Sequence, residues 1–525
     1  MRCRMIVFAV LLSLSAPVSA QLENVGSLSF PTSANPEAQR HFLRGVAILH
    51  SFGWKQAIAE FKLAQKADPD FALAYWGETL CYNHPLNAES DPANPRAVLG
   101  RLGSTPAARL AKAPSPREQG FLQAVEALWA EGDWRARRVA YMRAMERLHA
   151  AFPADDEVTT FYALSLLSAA QAQNDSTFRP EVKAGALAMD VVRRNPNHPG
   201  ATHYIIHAFD DPVHAPLALE SAFLYAKVVP AVSHAVHMPT HIFIQHGMWQ
   251  EVARQNIRAF TIAKELWQPG DSPGDMAHSG DWGQYGFLQL GDYSGARGRI
   301  QAFEEMAATT KHPRATSGLA LVRARYIIET EEWMVQDIAD SASIATVFAN
   351  GLSAVATGDA AVADKMLARL AVSAKMGVQE AGGAHADHGA APAPAAATSV
   401  LSEGNKGARV MALELGARIA ESKGDREKAI KMLREAVTIE ESMRPPNGAA
   451  DPIKPSHELL GEVLARAGQH ANAAAAFDAC RERMPNRARS LHGAAAAYAA
   501  AGQPDRSRER WTTLQSFWIG TPWPK

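Results

Sequence analysis

Residues 41–71 read HFLRGVAILHSFGWKQAIAEFKLAQKADPDF. Counted from Gly45, the residues Ala57, Phe61, Ala64 and Pro69 follow at offsets of 12, 16, 19 and 24. The offsets have a steric meaning. The small residues Gly45 and Ala57 let the two helices of a hairpin approach closely, and Phe61 fills the gap to the next hairpin. Pro69 stops the second helix, because its ring lacks an N–H and clashes with the preceding turn. The same offsets return near the other end, from Gly461 to Ala473, Phe477, Cys480 and Pro485. Between the two copies lie the turn pairs Gly132-Asp133, Gly291-Asp292, Gly358-Asp359 and Gly424-Asp425, and Gly468-Gln469 is the turn of the second copy itself. The polar and apolar alternation that marks strands is almost absent, so the chain reads as all-α.

These positions match the small and aromatic sites of a 34-residue helical repeat, and over most of its length the chain resembles the tetratricopeptide repeat (TPR) family. The resemblance implies an α-solenoid, a right-handed superhelix of helix-turn-helix repeats. It also implies that first helices line a concave groove, which in this family takes a peptide, a partner protein or another ligand.

At 525 residues the chain exceeds the roughly 250–300 that one hydrophobic core supports. The 53 basic and 54 acidic side chains give a net charge of −1 and no basic stripe, so nucleic acid is not an expected partner. Three cysteines, Cys3, Cys81 and Cys480, supply neither a disulfide framework nor a CxxC pair. The opening MRCRMIVFAVLLSLSAPVSA reads as a signal peptide cleaved before Gln21, which predicts a periplasmic or secreted protein. No later apolar run approaches the ~18 residues of a membrane span. The expected organisation is a signal peptide at 1–20, an N-terminal array at 21–379, a Gly/Ala/Pro-rich insertion at 380–405 carrying His385 and His388, and a C-terminal array at 406–525. RPPNGAADPIKP at 444–455 reads as an ordered Pro-rich loop.

The compositional anomaly is histidine. Of 19 in the chain, His198, His203, His207, His214, His234, His237, His241 and His246 fall within 49 residues. His203 and His207 are four apart, as are His237 and His241, so each pair shares a helix face. The two pairs are 34 residues apart, the length of one repeat. With helix axes about 8–10 Å apart and metal–nitrogen bonds of about 2.0–2.1 Å, the spacing predicts four imidazoles converging on one ion. The competing reading is a polar groove wall. In the next unit His278, Asp281 and Tyr285 extend the same face, as further ligands or as groups that orient them. Asp210 and Asp211 either orient an imidazole or form the turn before Pro212. His198, His214, His234 and His246 are expected at surface or turn positions. Pro239 is tolerated only in a first turn, so the helix carrying His241 should begin close to His237.

Neutral imidazoles suit a divalent transition metal, zinc, copper or iron. HYIIH lacks the glutamate of HExxH, which excludes that protease chemistry. The paired segments HPGATHYIIHAFDDP and SHAVHMPTHIF resemble a group of exported bacterial TPR proteins, as do CYNHPL, with Asn83 and His84, and residues 445–460. That resemblance implies a shared site and names no reaction. His84 reaches the cluster only if the superhelix curls back. The sequence thus predicts an exported scaffold that binds a protein, peptide or small ligand in its groove and carries a histidine-lined metal site. The alternative is a metal-dependent enzyme on the same scaffold.

Overall fold

Helix starts follow local chemistry. The Asn35 side chain accepts the Ala38 N–H, with Pro36 in the first turn, to open helix Pro36–His50. Ser115 and Glu118 form a reciprocal capping box at the head of helix Pro116–Leu128. In the computed structural model, which describes residues 24–86, 92–175, 177–376 and 403–520, such helices succeed one another as antiparallel hairpins from Pro36 to Gln515, with no strand among the described residues. The chain is an all-α, TPR-type solenoid. The signal peptide and the core of the Gly/Ala/Pro-rich insertion, His385 and His388 included, lie outside the described residues. None of the described helices is long and apolar enough to cross a membrane.

The repeat logic is a ring between two glycines. A β-carbon on Gly45 would lie 2.9 Å from the Phe61 ring, and one on Gly77 would lie 2.3 Å from it. Phe477 is held the same way between Gly461 and Gly493, where the corresponding distances are 3.0 and 2.4 Å. Each phenylalanine therefore occupies space that only glycines on its own and the following hairpin leave open. Cys81 and Cys480 are buried free thiols.

The array also folds back on itself. Helix Pro36–His50 packs on helix Pro199–Ala208, and helix Ala488–Ala500 packs on helix Gly274–Leu290. One continuous apolar core holds Phe42 and Trp76 from the beginning of the chain, Trp249 from its middle, and Leu491 and Phe517 from its end. Arg487, fully buried, ties front to back: it lies 2.7 Å from Glu329 and 2.7 Å from Glu458 and donates to the Tyr285 hydroxyl at 3.2 Å. Lys454 closes the network onto Glu458 at 2.9 Å and Glu462 at 2.6 Å.

Candidate metal centre

Three prolines shape the histidine region. Pro199 starts helix Pro199–Ala208, with His198 as its cap: the His198 Nδ1 accepts the Ala201 N–H at 3.2 Å. Pro212 follows the end of that helix, and there Asp211 accepts the backbone N–H groups of Val213 and His214 at 2.9 and 3.0 Å. Pro239 stands at the first position of helix Pro239–Gln245 and divides what the 34-residue register predicts as one helix. The preceding piece, Ser233–His237, is five residues long and carries His234 and His237 three positions apart.

That division regroups the imidazoles. In place of one four-histidine set, there are two sets of three: His203, His207 and His234, then His237, His241 and His278, with the ligating atoms of each set within 4.8 Å of one another. His203 and His241 are 0% exposed, His237 2%, His234 4% and His278 6%, so these rings are interior groups and do not line an open wall. His234 and His198, expected at surface or turn positions, are both buried, His198 in the turn that caps its helix. Asp281 does not join either set; its carboxylate pairs with Arg325. Tyr285 likewise turns away, accepting from Arg487, and burial pushes its hydroxyl up to about 12.

The rear nitrogens are anchored. His203 Nδ1 donates to the His50 carbonyl at 2.6 Å. His241 Nδ1 donates to Asp210 Oδ2 at 2.6 Å, so of the two adjacent aspartates Asp210 orients an imidazole of the second set, while Asp211 builds the turn and pairs with His214 Nδ1 at 2.8 Å. His237 Nδ1 donates to Asn256 Oδ1 at 2.6 Å, and the amide is oriented by its own N–H donating to the Val252 carbonyl at 2.9 Å. These partners are acceptors, so each of the three rings carries its hydrogen on Nδ1 and a lone pair on Nε2. The consequence is sharpest in the second set. His237 Nε2 and His241 Nε2 stand 3.0 Å apart, two lone pairs aimed at each other in a buried space. Such a pair needs positive charge between its members, a proton or a metal ion. In the first set His203 Nε2 meets His234 Nε2 at the same 3.0 Å.

A third buried set, His50, Glu157 and His198, is arranged differently. Glu157 accepts from His50 Nε2 at 2.8 Å and from His198 Nε2 at 3.1 Å, while the Tyr204 hydroxyl donates to His50 Nδ1 at 2.9 Å. Burial alone would raise the Glu157 carboxyl, but His198 and His50 outweigh it and hold it at about 2. Burial lowers His50. Every donor here meets an acceptor, so this set is a brace whose His50 carbonyl fixes His203. Gly200 makes the brace possible, since a β-carbon there would fall 2.3 Å from His50 Nδ1.

Aromatic rings wall both sets. Phe52, in the left-handed region at φ +55°, packs at 4.6 Å from the His203 ring, 5.1 Å from His234 and 5.7 Å from His207. A non-glycine residue held there costs on the order of 1–3 kcal/mol and persists only where its surroundings require it. Trp54 stacks on Phe52 at 4.5 Å and meets His84 at 5.0 Å, so the superhelix does curl back, with His84 two rings removed from the first set. Trp282 faces His241 at 4.3 Å and His237 at 4.9 Å. The Pro-rich loop covers this wall: a β-carbon on Gly448 would meet the Trp282 ring at 2.3 Å, and the Asn447 amide donates to Asp210 Oδ2 at 3.3 Å.

No protein-family profile matches the sequence, and no curated protein is similar to it. Solved structures share the helical-repeat architecture at low identity. The human IFIT1 dimer with m7Gppp-AAAA is 12% identical, covers 93% of this chain and 91% of its own, and superposes with a TM-score of 0.36. Cut9 in the APC/C hetero-tetramer Cut9-Hcn1 is 11% identical over 94% and 76%, with a TM-score of 0.32. The P58(IPK) TPR domain is 11% identical over 89% and 98%, with a TM-score of 0.23. At these values the site's own geometry carries the functional argument.

Proposed function

We propose that this protein is a transition-metal-binding helical-repeat protein, exported from the cytoplasm, whose ion is held by buried imidazoles. The supporting observation is the pair His237 and His241, whose Nε2 lone pairs face each other at 3.0 Å because Asn256 and Asp210 each hold the hydrogen on the opposite nitrogen. A metal ion satisfies both nitrogens without protonating either. Burial of the rings weighs against the groove-wall reading. A metal-dependent enzyme is the second reading, favoured by the count of three imidazoles per set, since structural ions are usually closed by four protein ligands and catalytic ions keep a position open.

The test is elemental analysis of the purified full chain after incubation with zinc, copper or iron and removal of free metal. Tight binding of a transition metal is expected, lost or strongly weakened in His237→Ala and His241→Ala proteins that keep wild-type helicity by circular dichroism. A folded wild-type chain that retains none of the three metals overturns the reading.

A further inference from the structure

Six imidazoles are more than one ion uses. A tetrahedral centre takes four ligands, and here each set of three already surrounds its own point. Ring centroids within the first set lie 4.6, 4.9 and 6.1 Å apart, and within the second 5.0, 4.3 and 6.2 Å. Between the sets, His207 and His241 are 6.1 Å apart and His234 and His237 are 6.4 Å apart. The separation across the boundary is thus close to the largest separation inside either set. The short helix Ser233–His237 gives one ring to each set, from positions one turn apart on a single face. Two ions placed in the two sets are therefore neighbours.

The donor chemistry selects among metals. All six ligands are neutral imidazoles, and neither set includes a carboxylate or a thiolate. Asp210 is the acidic group hydrogen-bonded to a ring of the sets, and it lies behind His241. Neutral ligands leave the ionic charge uncompensated, and two divalent ions would bring four positive charges into a buried space at a high desolvation cost. Copper is among the metals that imidazole suits, and in its monovalent state it halves that charge. In its divalent state copper also binds nitrogen sites more tightly than the other first-row ions.

Resting on the metal-binding reading above, we infer that His203, His207 and His234 hold one copper ion and His237, His241 and His278 a second, the two forming a single dinuclear centre. Each ion has three protein ligands, so each retains an open position for a small exogenous ligand.

The experiment uses the full chain, stripped of metal by chelator and incubated anaerobically with copper(I), with and without equimolar zinc. Copper per chain is counted after gel filtration. The sample is then oxidised with ferricyanide and examined by electron paramagnetic resonance. The inference expects two copper ions per chain, retained against zinc, with most of the copper(II) signal missing because the two spins couple. His278→Ala and His234→Ala proteins should each keep one copper and recover the full signal of an isolated ion. If either variant fails to fold, the wild-type stoichiometry and signal decide alone. One copper per chain, two coppers whose signals add as isolated ions, or displacement by zinc overturns the paired copper centre and leaves the metal-binding reading standing. A chain that binds no metal overturns both.

Discussion

Two buried polar clusters lie close together where the end of the chain meets its middle, and they solve the problem of burial in opposite ways. Around Arg487, cations and carboxylates alternate: Glu329, Glu458, Lys454 and Glu462 meet at 2.6–2.9 Å, and Ser490 adds a hydroxyl to Glu458 at 2.6 Å. Each carboxylate of that cluster meets a cation within the protein. Around His237 and His241 the anchors are acceptors at the rear of the rings, which leaves lone pairs in front. In the first cluster cation and carboxylate meet directly, whereas the second sets two ring nitrogens face to face, the arrangement on which the metal-binding proposal rests.

The largest effect that separates the two is expected from Arg487→Met. It strands Glu458 and Glu329 without their cation, and breaking a buried ion pair costs about 3–5 kcal/mol, read as a lower denaturant midpoint whether or not metal is present. Acid probes the same cluster. Burial alone would raise the Glu458 carboxyl, but Arg487 and Lys454 outweigh it and hold it far below the usual carboxylate range. The folded chain then binds fewer protons than the unfolded one, so this contribution is complete above about pH 5 and drains away as pH falls through the unfolded carboxylate value of about 4.3. Denaturation followed from pH 6 down to 2 should show that loss in the wild type and a flatter profile in Arg487→Met.

Metal should act on the histidine cluster and spare the other. At a free concentration one hundred times the dissociation constant, a ligand of the folded state alone adds about 2.7 kcal/mol. Thermal unfolding should shift upward with metal and return with chelator, by the same amount in wild type and Arg487→Met; an unchanged midpoint in wild type would show that protons already satisfy the rings. The smallest expected effect is that of Asp210→Asn. It keeps an acceptor for His241 but removes the charge, and loss of a group that orients a ligand typically weakens metal binding 10- to 100-fold, measured by competition with a chromophoric chelator. An affinity equal to wild type would show that the charge of Asp210 plays no part beyond accepting the His241 hydrogen.

The fold was legible because its determinants are local or periodic: Gly45, Phe61 and Pro69 recur as Gly461, Phe477 and Pro485, and the rings they place are where the offsets put them. The 34-residue spacing also brought His203, His207, His237 and His241 together. It did not show the break at Pro239, after which the close groups are His203, His207 and His234, then His237, His241 and His278. The anchors were not legible. His203 takes the carbonyl of a residue 153 positions away, and Asp210 meets Asn447 across 237. No periodicity within one repeat announces a contact made by the superhelix closing on itself. Asp281 and Tyr285 show the converse, since correct helical phase still left them to Arg325 and Arg487.

The Pro-rich loop gives the molecule an order of events. Asn447 and Gly448 are synthesised long after the last histidine of either set, yet they seal the tryptophan wall beside it. The wall beside the second set is therefore finished only when the C-terminal part of the chain docks on the middle.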